Sequence, residues 1–233
     1  MQRLRVRYAK RGRLRFTSHR DFSRAFERAV ARARLPVAYS SGFHPHPRIS
    51  YAGASPTGAA SEAEYLEIGL AHEADPQAVL ATLDEALPPG LDVLEVVASP
   101  GGSLADLLEA SRWRTRLPGA TRAAAQDAVR RFLDVEEVLV ERMTKKGMRT
   151  FDCRAAVVAL RGEPGNGDEC AILDVVLRHG TPSVRPDDVL AGLRTTAGLE
   201  ATAAPLHERL AQGPLDRRTG TVGDPLAPNR DSA

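Results

Sequence analysis

Cysteine is nearly absent from this chain: Cys153 and Cys170 are the only two in 233 residues. They lie far apart, without the close CxxC-type spacing that zinc or an iron–sulfur cluster needs, so no metal and no cofactor is expected. Both sit in apolar, strand-like text and read as small core hydrophobes. No apolar run approaches the roughly 20 residues of a membrane helix. The start, Met-Gln-Arg-Leu-Arg-Val-Arg, has basic residues but no apolar h-region of a secretory signal. A cytoplasmic protein with no membrane partner is the expectation. Lys and Arg are missing altogether from residues 51–100, which hold nine acids, whereas residues 1–50 hold thirteen Lys and Arg against Asp21 and Glu27, a surplus of eleven. The net charge of +2 conceals this polarity, which points to an anionic partner for one face.

What is present fits an ordinary globular protein, 42% hydrophobic and 27% charged, long enough for two domains of about 100 residues each. Leu4, Val6 and Tyr8 alternate with Arg3, Arg5 and Arg7, the period of a strand with one buried and one basic face. A turn at Arg11-Gly12-Arg13 and a return strand from Leu14 to Thr17 follow. Ser18 reads as an N-cap with Asp21 three residues on. Phe22, Ala25, Phe26, Ala29, Val30 and Ala33 then fall at helical spacing, with Arg20, Arg24, Arg28 and Arg32 on the other side and Pro36 as the stop. Strands at Arg48–Ala52 and Ala63–Leu70, a helix from Pro76 to Ala86 capped by Asp75, and a strand from Leu91 to Ala98 complete the first half.

Ser99-Pro100-Gly101-Gly102 reads as a linker, followed by a short helical stretch to Glu109. The second half repeats the logic. It has a strand Ser111–Leu117, a helix over about 120–133, strands Glu137–Met143 and Thr150–Leu160 around a turn at Lys145-Lys146-Gly147, and a loop from Gly162 to Asp168. A strand Cys170–Leu177, a helix Pro186–Arg194 and a strand Ala204–Leu210 close it. The expected fold class is α+β: two tandem ferredoxin-like βαββαβ halves with antiparallel sheets, over 1–98 and 103–210. The Gly-, Pro-, Asp- and Arg-rich stretch 211–233 is expected to be a disordered tail.

Residues 40–51, Ser-Ser-Gly-Phe-His-Pro-His-Pro-Arg-Ile-Ser-Tyr, concentrate two histidines, an arginine and two aromatics on a backbone stiffened by Pro45 and Pro47. Several chemistries fit these residues. With His19, the histidines His44 and His46 could ligate zinc with Glu62 or Glu64, or supply the general base of a metal-independent ribonuclease. They could also bond backbone carbonyls in a purely structural loop. The company they keep favours nucleic acid: Tyr39, Phe43 and Tyr51 offer stacking faces beside Arg20, Arg24 and Arg48. Unpaired bases want π-faces and phosphates want cations. Glu62, Glu64 and Glu67 either balance the arginines or form a docking face for a basic protein partner.

The run Ser-His-Arg-Asp-Phe-Ser-Arg-Ala-Phe-Glu-Arg-Ala (18–29), the run Leu-Pro-Val-Ala-Tyr-Ser-Ser-Gly-Phe-His-Pro-His-Pro-Arg-Ile-Ser-Tyr (35–51) and Ser-Glu-Ala-Glu-Tyr-Leu-Glu-Ile (61–68) resemble a known family. It is the radical-SAM-linked domain of unknown function, in its stand-alone, actinobacterial-type form. The strong match spans about 2–70, with weaker matches near 143–152 and 185–190. The resemblance implies an association with a separate radical SAM protein and supplies no reaction. With two cysteines this chain lacks the three-cysteine motif of a radical SAM enzyme, so such a partner would bring the cluster. The leading expectation is therefore a non-catalytic RNA-binding or substrate-presenting accessory module in RNA- or ribosome-related modification.

Overall fold

The computed structural model describes residues 1–144, 147–164 and 170–230, the side chain of Pro164 excepted. The expected turn at Lys145-Lys146, most of the Gly162–Asp168 loop and the last three residues lie outside the described residues. The chain is α+β and forms two compact units, one of Met1–Leu108 joined by the segment from Asp224 onward, the other Glu109–Gly223.

The first unit runs β1 (Gln2–Lys10), α1 (His19–Arg32), β2 (Ile49–Ala52), β3 (Ala60–Leu70), α2 (Pro76–Ala86) and β4 (Leu91–Ala98). Its strands lie in the order β4-β1-β3-β2, every pairing antiparallel, with Arg5 opposite Glu67 and Leu4 opposite Ile68. Period-2 alternation sorts β1 and β3 into two faces. Leu4, Val6, Tyr8, Leu66 and Ile68 turn to one face and pack with Phe22, Phe26, Ala29 and Val30 of α1 and Val79 and Leu83 of α2. The Tyr8 ring stacks on Phe22 at 4.4 Å. Burying the Phe26 side chain completely contributes roughly 1.5–3 kcal/mol. Helix α1 begins where expected because the Ser18 hydroxyl accepts the Asp21 amide at 3.2 Å. Asp75 caps α2 in the same way through the Gln77 and Ala78 amides.

The opposite face of this sheet carries a smaller cluster of Ala52, Ala63, Tyr65, Leu104, Leu108 and Leu226. Beside it Arg5, only 2% exposed, donates from Nη2 to the Gly101 carbonyl at 2.7 Å and from Nε to Glu67 at 3.4 Å, with Asn229 Oδ1 3.5 Å from Nη1.

The second unit runs β5 (Ala110–Pro118), α3 (Arg122–Asp134), β6 (Leu139–Thr144), β7 (Gly147–Asp152), β8 (Val157–Pro164), β9 (Cys170–Arg178), α4 (Pro186–Ala197), β10 (Leu206–Gly213), and the short β11 (Leu215–Asp216) and β12 (Thr221–Val222). Its main strands lie in the order β10-β5-β9-β8, again antiparallel, while among the described residues β6 and β7 pair with each other alone.

Three expectations need correction. Leu14–Thr17 is no return strand: Gly12–Phe16 is a 3₁₀ turn, closed by the Leu14 amide on the Arg11 carbonyl and the Thr17 amide on the Leu14 carbonyl. Thr150–Leu160 is not one strand either. The Asp152 carboxylate accepts the Val138, Arg154 and Ala155 amides, ending β7 and forcing a 3₁₀ turn before β8. Finally, residues 211–230 are structured. β10 continues to Gly213, β11 pairs with β12, and α5 (Ala227–Arg230) follows Leu226, which is wholly buried in the first unit. A polar, Gly-rich composition concealed one apolar anchor, Leu226, and one buried amide, Asn229.

The two cysteines differ sharply. Cys153 is fully buried, and burial pushes its thiol up to about 12, whereas Cys170 is partly exposed at the start of β9. A thiol reagent at neutral pH is therefore expected to modify Cys170 alone in the folded chain and Cys153 only after denaturation. Mass spectrometry of the labelled peptides checks this, and modification of Cys153 under native conditions would contradict the packing described.

Candidate nucleic-acid interface

The 40–51 segment is a backbone-locked loop at the edge of the first unit. Tyr39 and Pro47 bridge across it, the Ser40 amide donates to the His46 carbonyl at 2.9 Å, and the His46 amide donates to Ser40 Oγ at 3.0 Å. Below this neck the Arg48 amide reaches the Ala38 carbonyl, and Gly69 on β3 bonds both, each at 2.8 Å. Prolines 45 and 47 fit because their missing N–H groups are not needed by this ladder. Gly42, at φ 127°, takes a left-handed turn costly to any other residue. Above the neck residues 41–46 are all exposed. Phe43 is 103% exposed and Tyr39 59%. His44 Nδ1 lies 2.9 Å from the Phe43 carbonyl, so it is the protonated nitrogen and donates there.

Strand alternation decides which way the neighbours face. Ile49 and Tyr51 turn to the helical side and join the main core, while Arg48 and Ser50 turn to the other side. Tyr51 packs edge-on against Phe22, Phe26 and His19, and burial pushes its hydroxyl up to about 12. It is partly buried, with its ring packed on the core. His19 is likewise held against Tyr51, ring centroids 5.0 Å apart, on the helical side. The three histidines are thus not brought together: His19 flanks the core, His44 stands at the loop tip, and His46 faces a cleft on the far side of the sheet. Among the described residues no group of three His, Cys, Asp or Glu side chains converges in metal-binding geometry.

That cleft, about 330 Å³, is lined by Met1, Arg3, Ser40, His46, Arg48, Ser50 and Glu67. Sequence reasoning named His46 and Arg48 for it and missed Met1, Arg3, Ser40 and Ser50. The signal for Arg3 was present in the alternation of Arg3, Arg5 and Arg7 with Leu4 and Val6. It lacked only the knowledge that β2 and its loop would border the same face. Arg20 and Arg24 are exposed on α1, in the layer opposite the cleft, and their side chains, like those of Arg13 and Arg28, form no hydrogen bond or ion pair among the described residues. The expected single surface joining α1 arginines, loop and Tyr51 is therefore two surfaces separated by the sheet.

Each of the three acids has a partner within the first unit. Glu62 is held by Arg11 at 2.5 Å, Glu64 is 2% exposed and accepts the Ser55 amide at 2.9 Å, and Glu67 accepts from Arg3, Arg5 and Ser99. Asp92 joins Glu62 in raising the Arg11 guanidinium above its ordinary value. The acids of β3 and β4 thus neutralise the arginines of β1 and the following turn, which is where much of the charge polarity along the sequence is spent.

The locked aromatic loop and the cleft beside it belong to a protein of the α+β class. Residues 3–186 match the model of a family described as "Uncharacterized protein conserved in bacteria (DUF2344)", and the chain belongs to that family. The matched span contains the whole loop and all of the cleft except Met1. No curated protein matches the chain.

Proposed function

We propose that this protein is an RNA-binding accessory module whose first unit holds single-stranded RNA and presents it to a separate radical SAM protein. The observation that carries this reading is Phe43. Hiding a phenylalanine is worth roughly 1.5–3 kcal/mol, yet this one stands wholly exposed on a loop held by backbone hydrogen bonds and prolines. An exposed aromatic on a loop with a fixed backbone, with the exposed Tyr39 in the same loop's neck and arginines on both layers, suits unpaired bases and phosphates. The strand orders β4-β1-β3-β2 and β10-β5-β9-β8, each with two helices interleaved, support reading both units as ferredoxin-like, the β6–β7 hairpin being an insertion in the second. With two cysteines, the chain leaves cluster and radical chemistry to its partner.

Fluorescence anisotropy with a labelled single strand tests the reading. If about five of Arg13, Arg20, Arg24, Arg28, Arg48 and their neighbours meet phosphates, log affinity against log salt falls with a slope of about −3.5. Phe43→Ala is expected to weaken binding by roughly 5- to 150-fold, the worth of one base stack. A flat salt response together with an unchanged affinity for Phe43→Ala would sink the proposal. Cleavage of the strand that His46→Gln slows by about 10²-fold or more would instead assign an acid–base ribonuclease.

A further inference from the structure

We infer that the cleft of the first unit is a receptor for a phosphate monoester. Resting on the RNA reading above, this assigns it the terminal phosphate of the bound strand. The fold leaves positive charge at this cleft without a dedicated counter-charge. Among the described residues Glu67 is the one carboxylate lining the cleft, and it is already committed. Its Oε2 accepts from Arg5 Nε at 3.4 Å and Ser99 Oγ at 2.9 Å, and the buried Arg5 guanidinium requires that anion as its counter-charge. Arg3, 3.5 Å from Glu67 Oε1, shares a carboxylate whose charge is largely cancelled. Arg48 has a poorer partner still: its Nη1 donates to the Met1 thioether sulfur at 3.7 Å, a weak acceptor. Arg48 therefore borders the cavity with no carboxylate partner among the described residues, and Arg3 borders it with only a shared one. The His46 side chain adds a ring nitrogen that makes no hydrogen bond among the described residues, and Ser40 and Ser50 add hydroxyls.

The site is built rather than incidental. The root of Arg48 is fixed by its amide on Ala38 and its carbonyl on the Gly69 amide, both at 2.8 Å. Gly69 is what allows the two strands to meet there, since a Cβ at that position would lie 3.3 Å from Arg48 Cβ. Two guanidinium forks on a rigid frame match an anion with several oxygens. An internal phosphodiester carries one negative charge and two free oxygens. A monoester carries about −1.5 to −2 at neutral pH and three oxygens, which matches the surplus of the cleft better. The volume of about 330 Å³ is at the small end for ligand sites, room for a phosphate and its sugar.

The monoester could come from a strand end or from a free mononucleotide, and the experiment separates them. Binding to the full-length protein is measured for one oligoribonucleotide sequence with a 5′-phosphate, a 3′-phosphate or hydroxyls at both ends, and for AMP. The expected result is affinity about tenfold or more higher for one phosphorylated form than for the hydroxyl form. That ratio should collapse toward one in Arg48→Lys, which keeps the charge and loses the fork, and in Arg3→Gln, with unfolding midpoints confirming intact folds. Equal affinity for phosphorylated and hydroxyl strands, with binding retained, overturns the monoester site and leaves the RNA reading standing. No binding of any strand, but Arg48-dependent binding of AMP, overturns the RNA reading and keeps the monoester site with a free nucleotide as its ligand. No binding of any of the four overturns both.

Discussion

Arg5→Ala is expected to destabilise the first unit by about 3–5 kcal/mol, because it breaks a buried ion pair and leaves the remaining partners facing a void. At 2% exposure the guanidinium is out of contact with water, and its donors reach Glu67, the Gly101 and Gly102 carbonyls, and Asn229 of the returning C-terminal segment. Its removal strips those carbonyls of a charged donor and leaves Glu67, itself only 16% exposed at the side chain, with Arg3 and Ser99 alone. The sheet face that Arg5 shares with the buried Leu226 should loosen with it. Hydrogen exchange of the β1 and β3 amides reads the loss directly, without requiring the two units to unfold together. A double substitution, Arg5→Met with Glu67→Leu, should lie closer to the parent than Arg5→Ala does, since an apolar pair of similar volume carries no unmet charge. A loss under about 1 kcal/mol for Arg5→Ala would show that water replaces the guanidinium freely and would contradict the burial described.

Gly192→Ala is the second large effect, expected to destabilise the second unit by about 1–3 kcal/mol through overpacking. The glycine sits in the middle of α4, where an alanine would ordinarily stabilise a helix by roughly 1 kcal/mol. Here the sign reverses. A Cβ at Gly192 would lie 2.8 Å from Phe132 Cε2, 2.9 Å from Cys153 Sγ and 3.0 Å from Val138 Cγ1, so α3, the β6 approach and α4 would all have to part. Phe132 and Cys153 are themselves wholly buried and cannot swing into solvent. Chemical denaturation of the variant, followed through β9 and α4, measures the cost. Cys153→Ala in the same chain should recover part of it, with a coupling of about 0.5 kcal/mol or more, because the two side chains would compete for one volume. Stabilisation by Gly192→Ala would mean that helix propensity governs the position and that the α3–α4 contact is looser than described.

Much of this architecture is written locally. The alternation of Arg3, Arg5 and Arg7 with Leu4, Val6 and Tyr8, the Ser18 cap, the 3.6-residue spacing from Phe22 to Val30 and the Asp75-Pro76 start of α2 each need only near neighbours, and each element lies where that text places it. The readings that failed depend on groups remote in sequence. Leu14–Thr17 has strand-like composition but no strand to pair with. Thr150–Leu160 is divided by one carboxylate that captures amides from both sides of it. The stretch after residue 211 looks disordered until Leu226 finds a pocket more than a hundred residues away in the chain, among Ala63, Tyr65 and Leu104.

The site divides in the same way. By itself the sequence determined that residues 40–51 are a stiff segment carrying two aromatics, two histidines and an arginine, because proline geometry and residue chemistry are local properties. Only the tertiary structure decided what that segment borders. Strand pairing sent Tyr51 into the core and Arg48 to the opposite face, and the register of β1 on β3 placed Arg3 at the same cleft. The buried Arg5 then took up the charge of Glu67 and Arg11 that of Glu62, while Glu64 accepts the Ser55 amide, and the exposed cations include those of the cleft and of α1. Which charges remain to meet a ligand depends on which have already met each other, and that is set by contacts between residues far apart in the chain.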